Sequence, residues 1–176
     1  MKYGKDVLHC RCKFVLIERT PQRQPGGGHQ CAGVQRLGCS GDLHRTDIIS
    51  GLACKGEHHA ACFGLRNPHL VNRILGMSGL YDIRSVTGGW SDDLVYQCNP
   101  ADFVRNEWDS TRLDAFRRQD IILAIGRDDP NHHDNAEFSA TLWQKGIGNA
   151  LRVWDGWSHD WPFWEKMLRM YVGGHD

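Results

Sequence analysis

The sequence predicts an α/β domain, a parallel sheet with helices on its faces. Three observations carry this. From residue 51 onward, apolar runs of strand length alternate with helical faces and turn residues. Each strand-like run stops at a residue that breaks strands, such as glycine or aspartate. The last two runs, residues 120–125 and 151–155, are separated by one helical stretch, the order of a strand–helix–strand unit.

The elements follow in chain order. Residues 13–18 (Lys-Phe-Val-Leu-Ile-Glu) read as the one strand of the first fifty. Residues 20–30 hold two prolines, a triglycine and three glutamines, with nothing to bury, and read as loop or linker. Residues 31–45 mix Cys, Gly, Arg and His with no period of two or of 3.6. That mixture is also what translating a gene in the wrong frame produces, and resequencing the gene tests it. The chain is therefore divided into an irregular or poorly ordered segment, 1–47, and a patterned one, 48–176. Residues 57–65 read as a helix that ends at Asn67-Pro68, because the residue before proline is pushed out of the helical region. Residues 73–79 form a short buried strand. Residues 84–110 read as a long excursion with brief helical turns. Residues 120–125 are the next strand, and 135–145 a helix with Phe138 and Leu142 four apart and Gly146 as its stop. A last strand at 151–155 leads to a final helix. Asp160 is its N-cap, Pro162 lies in its first turn, and Trp161, Trp164, Leu168 and Tyr171 form its apolar stripe.

Composition narrows the function. The chain has 176 residues, enough for one domain with a core. Lys plus Arg and Asp plus Glu both total 21, so no basic excess supports nucleic-acid binding. No apolar run is long enough to span a membrane, and the first residues lack a signal-peptide core, so a cytoplasmic protein is expected. Seven cysteines is an odd number, and in a reducing cell interior they are thiols rather than a disulfide framework.

Two residues stand where acid–base chemistry is mounted. Asp129 follows the 120–125 strand and its Gly126, at the carboxyl end where sites of open α/β sheets lie. Asp128-Asp129-Pro130 is also ordinary turn chemistry. His159 follows the 151–155 strand in Gly156-Trp157-Ser158-His159-Asp160-Trp161. It is either a packed histidine at a helix start or a general base held among indoles. A carboxylate orients such an imidazole, and the imidazole moves the proton. His132 and His133 read as solvated loop residues. Trp154, Trp157, Trp161 and Trp164 read as core rather than as a sugar platform.

A nucleophile is harder to find. It belongs on a sharp turn between a strand and a helix, in a pattern such as G-x-S-x-G. Residues 48–60 are the candidate region. Counting back from Gly56 puts Cys54 at the nucleophile, with Leu52 at the first glycine site. Counting forward from Gly51 puts the unreactive Ala53 there. A thiolate at Cys54 would gain from the helix N-terminus and from Lys55. The alternative is an incidental cysteine. Ser50 and Ser78 are further options, Ser78 the weaker because no apolar-faced helix follows it at once. Cys54, His58 and Cys62 share one side of a helix but span about 12 Å of its axis, too far for one metal ion. No metal and no organic cofactor is expected.

With these residues in view, 48–176 resembles the esterase family of the α/β-hydrolase superfamily. That family includes esterase D-like S-formylglutathione hydrolases, feruloyl esterases and mycolyltransferases. The resemblance rests on His59-Ala60, Gly64-Leu65-Arg66-Asn67-Pro68, the 75–84 stretch LGMSGLYDIR, the 125–130 stretch IGRDDP and the 154–161 stretch WDGWSHDW. It implies a three-layer α/β-hydrolase-type parallel sheet, N-terminally truncated, with a poorly patterned first fifty residues. It implies Asp129 as triad acid, His159 as triad base and a serine on the elbow, where this chain carries Cys54 or Ala53. The backbone N–H of Lys55 would supply one oxyanion donor. The implied partner is a small-molecule ester. An unpaired sheet edge would favour self-association.

Overall fold

The computed structural model describes residues 15–17, 46–50 and 56–172, with side chains from residue 60 onward. One sheet has the strand order β1 (Val15–Ile17), β2 (Thr46–Ser50), β3 (Val71–Met77), β4 (Asp120–Gly126), β5 (Ala150–Trp154). β1 pairs antiparallel with β2, and β2 to β5 are all parallel. Thr46–Ser50 is a strand the pattern does not predict, and the division at 47/48 runs through it. Its two isoleucines are bracketed by Thr46, Asp47 and Ser50, so no alternation marks it in the sequence.

β4 is an inner strand, between β3 and β5, and both of its faces are apolar. Ile121 to Ile125 are each at most 2% exposed, the continuous pattern of a strand covered on both sides. Ile121 and Leu123 face one layer, packed with Ile74 of β3 and with α1 (Gly56–Arg66), α4 (Pro100–Arg105), α5 (Ser110–Arg117) and α6 (His132–Gln144). Ile122 and Ala124 face the other, with Leu75 and Met77 against Trp164, Met167 and Tyr171 of α7 (Trp161–Val172). Each large side chain fully buried this way contributes roughly 1.5–3 kcal/mol. The parallel crossovers thus place α1, α4, α5 and α6 on one face, and α7, which follows the last strand, covers the other, three layers in all.

Several boundaries move. α6 begins at His132, so His132 and His133 form its first turn and not a loop; Asn131 O accepts from Asn135 N–H at 3.0 Å and starts the helix. In α7 the buried stripe is Trp164, Met167 and Tyr171, while Trp161 is 47% exposed. Trp161 is the first residue of the helix, at the rim where the strands end, and the sheet does not cover it. The excursion after β3 holds α2 (Arg84–Thr87), α3 (Asp93–Gln97) and α4, and α5 follows it. Asp109 caps α5 by accepting from Thr111 and Arg112 N–H, at 2.8 and 3.1 Å. The pattern does not predict α5 because its apolar side amounts to Leu113, Ala115 and the buried Phe116. Among the described residues no helix is long and apolar enough to cross a membrane.

The excursion is pinned at its start. The Asp82 carboxylate pairs with the Arg84 guanidinium and accepts from Arg84 N–H at 3.0 Å and, weakly, from the buried Asn99 amide at 3.4 Å. The Arg84 side-chain bond is the main reason its pKa falls from 3.8 to about 2. A depressed carboxyl contributes stability that is present above its unfolded pKa and lost as pH falls through the folded one. The stability difference between the native protein and Asp82→Asn, followed by urea unfolding, is therefore expected to be constant above about pH 4 and to shrink toward pH 2. A difference that does not change over that range would show that the ion pair has no linkage to folding.

Candidate active site

β4 and β5 are parallel with Gly126 opposite Trp154, so both chains leave the sheet at the same rim. Their exits lie backbone to backbone. A Cβ on residue 126 would fall 2.0 Å from the Trp157 carbonyl oxygen and 2.7 Å from that of Gly156. Only glycine permits this approach. Two bonds lock it: Arg127 N–H donates to Trp154 O at 2.8 Å, and Asp128 N–H to Gly156 O at 3.0 Å.

The turn after β4 then aims Asp129 inward. Its N–H donates to Gly126 O at 3.2 Å, and its Oδ1 accepts from Asn131 N–H at 2.8 Å. Its Oδ2 meets His159 Nδ1 at 2.6 Å. Turn chemistry and an acid beside a histidine are thus not alternatives here, because one oxygen serves each. The carboxylate side chain has no exposed surface, and that of His159 is 11% exposed. Two indoles neighbour the imidazole, with ring centroids 5.8 Å away for Trp157 and 5.4 Å for Trp164. A carboxylate on Nδ1 favours the tautomer protonated there, in which Nε2 carries the lone pair that can accept a proton.

Two non-glycine residues with positive φ are found among the described residues, Ser78 (φ 61°) and Ser158 (φ 44°). Both are buried, and both sit at this rim. Such a conformation costs on the order of 1–3 kcal/mol and persists only where the surroundings hold it. Ser158 precedes His159 and donates its hydroxyl to Asp155 O at 2.9 Å. Ser78 follows β3; its N–H donates to Ala124 O at 2.8 Å, and its own carbonyl accepts from Asn131 Nδ2 at 3.2 Å. Its hydroxyl receives the Trp164 indole N–H at 3.3 Å. Ser78 is 1% exposed.

The remaining sequence candidates are Cys54 and Lys55. They lie between the end of β2 and the start of α1, in residues 51–55, outside the described residues. So does the Ser50 side chain. The reading of four core tryptophans holds for Trp164, at 7% exposure, and fails for Trp157 at 54% and Trp161 at 47%. Trp157 is held at the rim by its backbone against Gly126, which leaves its ring half in solvent. Gly126, Asn131 and Trp164 also make contacts at this rim and are not singled out for the site by the sequence, and Ser78 is weighed there only as a nucleophile. Of these, only Gly126 had a local signal, a glycine closing a buried strand three residues before an aspartate. Two hollows of about 250 and 260 Å³ lie along α4 and α6, and neither is lined by Asp129 or His159.

No protein-family model matches the sequence, and no curated protein matches it. Solved structures do. A ferulic acid esterase superposes with a TM-score of 0.55 at 24% identity, over 68% of this chain and 45% of its own. The S-formylglutathione hydrolase of Staphylococcus aureus, as apoenzyme, gives 0.54 at 13% identity, over 67% of this chain and 50% of its own. FphF, a fluorophosphonate-binding serine hydrolase of Staphylococcus aureus with substrate bound, gives 0.55 at 14%, over 67% and 49%. This chain has the α/β-hydrolase fold. It spans about half the length of these structures. The parallel strands β2 to β5, with α7 on one face and α1, α4, α5 and α6 opposite, are the part of the α/β-hydrolase architecture described here.

Gly126→Ala tests the close approach. The added methyl meets main-chain atoms, which cannot move aside as a flexible side chain would. The variant is expected to lose roughly 1–3 kcal/mol of stability in urea unfolding. It is also expected to separate His159 from Asp129, read as loss of the hydrogen-bonded Nδ1 proton by NMR. Native stability with an intact signal would refute the constraint.

Proposed function

We propose that this chain hydrolyses small carboxylic esters through an acyl-enzyme, with Asp129 orienting His159, His159 as general base and Cys54 as nucleophile. The observation that carries the proposal is the buried 2.6 Å contact between Asp129 Oδ2 and His159 Nδ1 at the carboxyl rim of a parallel sheet. A buried ionisable pair contributes little to stability on balance, so its presence in two loops argues for use rather than for folding. β2 runs parallel to β4, so its last residue, Ser50, ends at the same rim, and Cys54 follows it by four residues in the chain. The eleven-residue helix α1 follows it, and a helix N-terminus lowers a thiol pKa.

The reaction then runs in two halves. The Cys54 sulfur attacks the ester carbonyl while His159 takes the thiol proton, and the C=O electrons move onto oxygen. The N–H of Lys55 donates to that oxyanion. Collapse breaks the C–O bond, and His159 protonates the leaving alcohol. Water, deprotonated by His159, attacks the thioester, and the carboxylic acid leaves as the thiol is restored. None of these steps needs a metal or an organic cofactor. The exposed ring of Trp157 gives the substrate an apolar surface beside the imidazole.

A second reading is a binding protein that keeps the fold without the chemistry. What favours it is the sequence of the turn, where Leu52 fills the first glycine site and no serine stands at 54. Turnover of p-nitrophenyl acetate separates the two, with methyl ferulate as a second substrate because a ferulic acid esterase is among the similar structures. Activity is expected, and both iodoacetamide and Cys54→Ala should abolish it. His159→Ala should lower kcat/KM by about 10³-fold or more. The Cys54→Ala control separates that thiol from the others. Burial, then the neighbouring Cys98, pushes the Cys62 thiol pKa up, which makes Cys62 a poor target in the folded protein. Folded protein with no turnover supports the second reading. Fluorophosphonate labelling at a serine would remove Cys54 from the mechanism.

A further inference from the structure

The pair is part of a closed ring of contacts. Asp129 Oδ2 meets His159 Nδ1. The His159 ring packs on Trp164. Trp164 Nε1–H donates to Ser78 Oγ, Ser78 O accepts from Asn131 Nδ2, and Asn131 N–H returns to Asp129 Oδ1. The exits of β3 and β4, the loop after β5 and the first turn of α7 each contribute a member.

We infer that Trp164 and Ser78 are positioning residues: the hydroxyl of Ser78 holds the Trp164 indole, and that ring holds the His159 imidazole on Asp129. The inference rests on the proposed role of the pair. Packing alone would place a tryptophan here, since Trp164 lies in the apolar layer with Met167 and Tyr171. Packing does not explain the serine. Position 78 has φ 61°, a conformation suited to glycine, and the next residue is Gly79. A glycine at 78 would be less strained but would offer no acceptor to a buried indole N–H, which needs one. The strained serine and the aimed indole are explained together if the hydroxyl sets the ring's orientation. Trp157, the second indole near the imidazole, is 54% exposed, whereas Trp164 is buried at 7%.

NMR of the full chain with ¹⁵N-labelled histidine and tryptophan tests this. The unmodified protein should show a hydrogen-bonded Nδ1 proton on His159 that Asp129→Asn removes. In Trp164→Phe, which keeps a ring without the N–H, and in Ser78→Ala, that proton should exchange with water about tenfold faster or more, through easier local opening. The double variant should match either single one, because both remove the same bond. Unchanged exchange in the single variants, or fully additive effects in the double, would overturn the positioning role while leaving the pair intact. Absence of the signal in the unmodified protein, or its survival in Asp129→Asn, would overturn the pair and this inference with it. Should the variants fail to fold, the Trp164 indole N–H of the unmodified protein decides. Protection from exchange supports the bond to Ser78, and exchange at the rate of an exposed indole refutes it.

Discussion

The loop after β5 rests on the main chain at the end of β4, and the rim of the molecule is arranged around that contact. A side chain at 126 would collide with two carbonyl oxygens, so the approach exists only because the strand ends in glycine. Two interstrand bonds beyond the last paired residues extend the β4–β5 ladder into the loops. Asp129 and His159 are then three and five residues past the ends of their strands, a distance at which two side chains can meet. The energies divide the labour. Buried apolar side chains at roughly 1.5–3 kcal/mol each decide that the sheet forms. Loop hydrogen bonds, worth about 1 kcal/mol each, decide where the side chains at its rim point.

The first turn of α6 extends this order to the exit of β3. Asn131 and Asn135 donate to the carbonyls of Ser78 and Gly79, at 3.2 and 2.7 Å. Asp134 accepts from the N–H groups of Tyr81 and Asp82, at 2.5 and 3.0 Å. Burial pushes the Asp134 carboxyl pKa up, and the two N–H bonds oppose that shift. One helical turn therefore carries the acid on its N-terminal side and holds four of the five residues that follow β3. The strained Ser78 lies inside that hold, which explains how a positive φ survives there.

Much of this was legible in the chain itself. The runs at 73–79, 120–125 and 151–155 coincide with β3, β4 and β5 to within two residues at either end, because apolar runs bounded by turn residues report burial directly. Asp160 and Pro162 marked the start of α7, and Asn67-Pro68 the end of α1. Less was legible where the signal was weak or shared. β2 has two isoleucines among polar residues, and α5 has little apolar surface, so neither stands out locally. The histidines at 132 and 133 looked like loop because helix starts are polar whether or not they are helical.

The site divides in the same way. A carboxylate and an imidazole placed just past consecutive strands are a matter of spacing, and spacing is written in the chain. Folding alone decided that Oδ2 and Nδ1 come within 2.6 Å, that Trp157 and Trp161 reach solvent while Trp164 is buried, and that Ser78 accepts a hydrogen bond from an indole 86 residues away. A strand records which of its own faces are apolar. What covers a face, and which distant group receives a buried N–H, depends on how separate segments pack together, and no single segment records that.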